Sequence, residues 1–507
     1  MSTTIDHVST RTARWDVIAR GDQPPTGPPQ RKELLWGDRV LVIGPGRASG
    51  EVLVQARGQT GYVATRDLGG APLLEVYFID VGQGDGVLIC TPDRRHLLID
   101  GGWPRSGQPT GKNAADFVDW KFAHDYRMDR ITLDAVLCSH NDQDHYGGLW
   151  DLFNPDEAWG LSIPTARVSV ERFFHAGLSW WRRNGQRTLG RWTTTDHGPM
   201  FTELLGNRAA VLAGLQPAAD LPLQGEWAAF LRTVTAMKTE AGAATPIARL
   251  SHRDEYLPGY ERGTSDVAVR VLAPVEFTID GGPAIRRYTG GDSKNTNGNS
   301  LLLRLDYGRA RLLLTGDLNA KSQAALLADY AGERQELQCD VAKACHHGSD
   351  DVSYTFLRAL EPAVTIISSG DNEGHDHPRP AIVAASATTG YLQIENDRVV
   401  SPLVYSTELA RSVKLGRPTR LVVRPDNGGE PEQLEGAALR RTEVTMAVTM
   451  AGDRQPSMWR RSLNGSRMVA GTVYGLVNVR TDGETILCAT MNEARHTWQV
   501  QTVRARF

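Results

Sequence analysis

Six residues limit what this chain can fold into: His140-Asn141-Asp142-Gln143-Asp144-His145. They follow an apolar, β-branched run from Ile131 to Ser139, which predicts a buried strand. They precede Gly147 and Gly148 at the head of an apolar segment, which predicts a helix start. The four ligand-type side chains are therefore expected in the short loop between the two. Two imidazoles and two carboxylates this close would repel and desolvate one another in a plain core, but they suit a divalent metal. A polar turn with an aspartate helix cap accounts for one such residue and not for four.

The flanking sequence repeats the theme. A strand from Leu74 runs into Asp80 and the glycine-rich turn Val81 to Gly86, which contains Asp85. Leu97 to Ile99 runs into Asp100, and Arg311 to Thr315 runs into Gly316 and Asp317. Cys339 to Cys345, which includes Lys343, runs into His346 and His347, and Val364 to Gly370 runs into Asn372 and the His375 to Pro378 group. Apolar strands that each deliver polar ligand types at their C-terminal ends predict one shared site on one edge of two sheets. Asp100 is expected to support the ligands from behind. Lys343 is expected to add positive potential, and His175, at the end of a strand-like run from Ala166, is a further candidate.

At 507 residues the chain exceeds one ordinary core, and 40% hydrophobic with 23% charged residues is the make-up of a globular protein. No apolar stretch reaches membrane-span length and the first residues do not read as a signal peptide, so the cytoplasm is the expected compartment, with no membrane partner. Five cysteines in apolar runs read as buried hydrophobes. A net charge of -3 offers no global attraction to nucleic acid, leaving Trp180-Trp181-Arg182-Arg183 as a local basic candidate.

The Pro-rich residues 1–30 are expected to form a flexible arm. Short glycine-broken strands over 31–71 predict a small β-barrel, and Leu34 to Val40 with Gly61 to Val63 resembles bacterial SH3-like domains, which implies a module for a protein partner. The main domain is expected over 72–410, with residues 151–291 inserted across the site face and helices at 201–215 and 226–237. Residues 411–507 read as a β-rich C-terminal region with no catalytic constellation.

The ordered motifs Phe78 to Asp85, Ser139 to Gly148, Asn299-Ser300, Gly316-Asp317 and Lys343 to Ser349 resemble the metallo-β-lactamase-fold hydrolases, and more narrowly the nuclease domain of the DNA-uptake protein ComEC. The resemblance implies an α/β fold, the αββα sandwich of that family. It also implies two divalent ions, Zn²⁺ or Mn²⁺, one held by His140, Asp142 and the bridging Asp317, the other by Asp144, His145, Asp317 and one of His346 and His347, with His347 preferred. Asp142 stands where the family usually has a histidine, and another family histidine is replaced around Asn297 to Asn299. The first site is thus richer in oxygen, which makes Mn²⁺ a competitor of Zn²⁺.

The implied reaction is phosphodiester hydrolysis, most simply of DNA, by a hydroxide shared between two ions. Asp144 and Asp317 fix the ions, and His346 or His377 contacts the phosphate or protonates the leaving oxygen. Asp85, Asp100, His175, Asn299 and Asn372 are expected to support the ligands or touch substrate. Hydrolysis of a small phosphodiester or phosphocholine-type ester is the alternative within enzymes. A non-catalytic scaffold is the alternative outside them.

Overall fold

Two sheets share one apolar interior. In the first, the strands run in the order Ile247–Arg249, Phe173–His175, Ala135–Cys138, His96–Ile99, Val87–Cys90, Leu74–Ile79, Leu476–Thr481, Thr485–Asn492 and Thr497–Arg504. The second orders Val267–Ala273, Leu302–Tyr307, Ala310–Leu314, Val341–Lys343, Val364–Ile367 and Leu403–Ser406. These positions come from a computed structural model that describes residues 3–20, 28–108, 111, 113–154, 161–370, 377–408, 412–425, 429–448, 457–466, 468–473, 475–492 and 495–507.

Period-two alternation explains the layers. Leu97, Ile99, Ala135 and Leu137 face Leu303, Leu305, Leu312, Val341 and Val364 across the sandwich. Leu98, Val136 and Cys138 point the other way, onto the helices Ala114–Trp120 and Gln143–Phe153. Leu302, Leu313 and Ala342 pack outward against Leu326, Leu327, Phe356 and Leu360. Strands apolar on both faces therefore give a helix–sheet–sheet–helix stack. His96–Ile99, Ala135–Cys138, Phe173–His175 and Ile247–Arg249 are parallel, as are Ala310–Leu314, Val341–Lys343, Val364–Ile367 and Leu403–Ser406. Their C-terminal ends gather at one edge, where the ligand-type residues lie.

Three expectations about the periphery change. Residues 1–30 are not a free arm: Thr4–His7 and Thr12–Arg20 are strands, because Ala13, Trp15 and Val17 alternate inward beneath Val8 and Leu34. They complete a six-stranded antiparallel sheet in the order Thr4–His7, Arg39–Pro45, Glu51–Ala56, Gln59–Ala64, Thr12–Arg20, Gln30–Leu35, with no pairing among the described residues that joins its two edges. The C-terminal region is not wholly separate, since its last three strands extend the first sheet from Leu74–Ile79. There Arg480, fully buried, pairs with Asp38 at 2.8 Å and lies 3.5 Å from Glu75, tying the N-terminal sheet to the main one. Within 151–291, Phe173–His175, Ile247–Arg249 and Val267–Ala273 are core strands, so the inserted part is smaller. It contains the helices Arg208–Gly214 and Gly225–Ala236, and Trp227 and Phe230 of the second pack on Tyr146. Trp180 and Trp181 are buried, while Arg182 and Arg183 of the same stretch are exposed. Among the described residues no helix is long and apolar enough to cross a membrane.

His96 lies in the packed region beside Phe122 and Tyr126, and burial, then the charges of Arg94 and Lys121, hold it down at about 3. The native imidazole is neutral while the unfolded one takes a proton below its ordinary pKa of 6.5. Stability contributed by this neutral form is present above that value and lost as pH falls toward 3, with a slope of about 1.4 kcal/mol per pH unit. Unfolding free energies from urea titrations between pH 6 and 4 should therefore fall less steeply for His96→Leu than for the wild type, by up to about that slope. Equal slopes would contradict it.

Candidate metal centre

The hexapeptide lies where the buried strand Ala135–Cys138 hands over to the helix Gln143–Phe153. Asp142 occupies the N-cap position, so Asp144 and His145 stand in the first helical turn rather than in a loop. A carboxylate is favoured there by the unpaired amides of the helix end. The helix seats close against Gly101, because a Cβ on Gly148 would overlap the Gly101 carbonyl oxygen. Gly84, at φ +112°, likewise lets its backbone lie against the Asp144 carbonyl.

Ligand atoms of Asp144, His145, Asp317 and His347 all fall within 4.8 Å of one another. Asp317 Oδ2 is 3.2 Å from His145 Nε2 and 2.9 Å from His347 Nε2, and Asp144 Oδ2 is 3.6 Å from His347 Nε2. Each imidazole is held from behind by its other nitrogen. His145 Nδ1 donates to Asp100 Oδ2 at 2.9 Å, and His347 Nδ1 lies 3.2 Å from both Asp85 Oδ1 and the Ser368 carbonyl. Asp100 is fixed in turn by accepting the Ser139 N–H at 2.7 Å. A carboxylate or carbonyl at Nδ1 places the proton there and leaves the Nε2 lone pair facing inward. Apart from these ion-pair contacts with Asp317, Nε2 of His140, His145 and His347 and Oδ1 of Asp317 are buried and make no regular hydrogen bond among the described residues. Such convergent bare donors are costly unless a cation uses them, so this set fits a divalent ion.

Electrostatics point the same way. Burial pulls His145 down, yet the charges of Asp317, Asp100 and Asp144 outweigh it and hold the imidazole well above its ordinary value. His347, also buried, is pushed up to about 10 by Asp317 and Asp85. Asp317 stays well below the carboxylate range because His347 and His145 overcome its burial. The pocket thus has a strong affinity for positive charge.

Beside this set lies a second. His140 Nδ1 is 3.1 Å from Ser139 Oγ and 3.3 Å from Ser300 Oγ, and its Nε2 is 3.7 Å from Asp142 Oδ2. Asp142 accepts from Thr296 Oγ1 at 2.9 Å and, with the Asn297 amide turned to donate, from Asn297 at 2.9 Å. Burial and then the Asp144 charge push its carboxyl up to about 7, although 26% of the side chain meets solvent. Asn299 is not part of this group: its amide donates to the carbonyls of Arg286 and Asn295, closing the helix Asp292–Gly298. The neighbour two residues earlier takes the place expected for it. Gln83, which donates to Asp144 Oδ2 at 3.1 Å, was also not expected, nor were Thr296, Ser139 and Ser300.

His346 and His347 diverge because both adopt left-handed backbone, at φ 47° and 52°, which costs about 1–2 kcal/mol per residue. His347 turns inward, and His346 turns to the rim with 23% of its side chain exposed and Nε2 4.0 Å from Asp317. The His377 ring lies 5.6 Å from that of His346. Lys343 does not face a substrate. Its ammonium pairs with Asp85, donates to the Gly316 carbonyl at 3.0 Å and lies 3.6 Å from Asp317. His175 is buried beside Phe173, accepts from the Gly177 N–H and has no contact with the cluster among the described residues. Asn372 lies outside the described residues.

Residues 79–208 match the model of the metallo-beta-lactamase superfamily. Over 87 residues the chain is 39% identical to Competence protein ComA of Neisseria gonorrhoeae, covering 17% of this chain and 12% of that protein. Over 320 residues it is 22% identical to ComE operon protein 3 of Bacillus subtilis (strain 168), covering 61% of this chain and 30% of that protein. The chain therefore spans less than a third of the length of either relative. A solved metal-dependent hydrolase of the beta-lactamase superfamily is similar at 12% identity and a TM-score of 0.30, over 66% of this chain and 95% of that one.

The Asp100–His145 bond supplies a direct check. Asp100→Asn keeps the shape but can no longer fix the imidazole proton, so Mn²⁺ affinity measured by calorimetry should fall about 10- to 100-fold with the melting temperature little changed. Wild-type affinity in that variant would mean that Asp100 plays no part in presenting His145.

Proposed function

We propose that this chain, a metallo-β-lactamase-fold hydrolase related to the ComEC type, cleaves phosphodiester bonds in DNA. The observation that carries the reading is the convergence of Asp144, His145, Asp317 and His347 within 4.8 Å beside a second pair, His140 and Asp142. Asp144, His145, Asp317 and His347 would hold one ion, and His140, Asp142 and the shared Asp317 the other. When bound, divalent ions supply Lewis acidity and neutralise phosphate charge. Carboxylates outnumber imidazoles at the second position, which favours Mn²⁺ beside Zn²⁺.

The chain's own residues do the remaining work. Asp100 and Asp85 orient the imidazoles, and Lys343, locked between Asp85 and the Gly316 carbonyl, offsets the buried negative charge instead of touching substrate. Asp144, 17% exposed and steadied by Gln83, is placed to accept a proton from an approaching water. His346 and His377, at the rim, would bind a non-bridging oxygen or protonate the leaving one. The likeness to the ComEC nuclease domain supports DNA over a small ester. A cytoplasmic location, and a protein partner for the six-stranded N-terminal sheet, belong to the same proposal.

With Mn²⁺ added, the purified protein should cut plasmid or single-stranded DNA, and Asp317→Asn should lower the rate by at least about 100-fold. Cleavage of a chromogenic bis-phosphodiester without any cleavage of DNA would remove the nuclease reading and leave the small-ester one. Full activity in Asp317→Asn would place the chemistry elsewhere.

A further inference from the structure

Between Leu403–Ser406 of the second sheet and Leu476–Thr481 of the first, the chain leaves the sandwich as a separate arm. Its stem is the antiparallel pair Ser412–Gly416 and Met468–Val473. The base of the arm sits on the metal-centre edge. The Asp80 N–H donates to the Gly475 carbonyl at 2.8 Å, and the Gly475 N–H to the Asp80 carboxylate at 3.2 Å. Thr407 donates to the carbonyl of Ser369, whose neighbour Ser368 accepts from His347.

Beyond the stem lie the helix Gly436–Arg441 and a ribbon of Glu443–Val448 paired with Ser457–Ser462. Leu439 and Leu463 are the buried hydrophobics among the described residues of the arm. Every residue of Ser457–Ser462 is exposed, Met458 at 67% and Trp459 at 42%. Register sets Trp459 opposite Met446 and Arg461 opposite Val444, so one ribbon face carries an open aromatic ring on an apolar floor with a guanidinium 5.3 Å from its centre. Arg460 projects from the other face, 3.3 Å from Glu443, and Arg440 and Arg441 end the adjoining helix in solvent. Residues 409–475 hold eleven Lys and Arg against six Asp and Glu, whereas the whole chain has a net charge of -3. The arm is thus basic and the remainder acidic.

Exposed cations around an exposed aromatic ring suit a polyanion with flat bases. Trp, Met and Arg also occur at protein interfaces, and it is the surplus of cations over the whole arm that favours a polyanion. We propose that this arm is a nucleic-acid-binding ribbon that holds single-stranded DNA beside the metal centre, Trp459 stacking on a base while Arg440, Arg441, Arg460 and Arg461 contact phosphates. The proposal rests on the nuclease reading for what happens to the strand, but not for its binding.

Fluorescence anisotropy of a labelled single-stranded oligonucleotide with the full chain, in EDTA to prevent cleavage, tests it. Replacing the four arginines together with alanine should weaken binding at least about 10-fold near 0.1 M salt and lower the logarithmic salt slope by up to about 3, near 0.7 per lost phosphate contact. Trp459→Ala should cost about 5- to 150-fold with an unchanged slope. Both variants should keep the wild-type melting temperature, since the replaced side chains are exposed. Wild-type affinity and slope in both would overturn the proposal. So would a change in molecular mass by light scattering in the four-arginine variant with DNA affinity retained, which would make the arm a contact between copies. Failure to cleave DNA with metal present would refute the nuclease reading without touching this result.

Discussion

A buried carboxylate behind each inner imidazole is the constraint on which the site depends. Asp100 behind His145 and Asp85 behind His347 decide which nitrogen carries the proton, and so which lone pair faces the centre. Without them either nitrogen of each buried ring could carry the proton, and Asp317 would face rings of unfixed tautomer. The price of this arrangement is a pocket dense in negative charge. Lys343, paired with Asp85 and close to Asp317, offsets part of it. A cation in the pocket would offset the rest.

The fold exists to deliver those groups from separate strands. Asp100, His140 and Asp317 follow three strand ends, and His347 follows a fourth through a strained turn. Parallel neighbours bring the ends to one edge, and the apolar layers on both sides of each sheet keep them in register. Strand ends therefore place Asp317 and His347, while Asp144 and His145 stand at a helix start. The helix start at Asp142 adds the remaining two acids with its amides beneath them.

Much of the centre was legible because imidazoles and carboxylates at strand ends have few bland roles. Side chains with many ordinary uses were not: Gln83, Thr296 and Ser300 resemble any polar loop residue until their geometry is seen. Asn297 and Asn299 differ only in which side of a short helix they leave, which composition does not encode. The N-terminal strands do carry a period-two signal, Ala13, Trp15 and Val17 alternating with Arg14 and Asp16, but it is short and flanked by Ser-, Thr- and Pro-rich sequence of the kind that forms flexible arms. The C-terminal strands were legible as strands, but their partner, Leu74–Ile79, lies about 400 residues earlier in the sequence, and pairing at that range leaves no local signal.

The central claim is that the edge holds two divalent ions through a shared Asp317. Metal analysis after equilibrium dialysis against Mn²⁺ tests it most directly. The account predicts two ions per chain for the wild type, one for Asp142→Ala and none retained for Asp317→Ala. A wild-type content of one ion or fewer, or the same content in all three proteins, would contradict it.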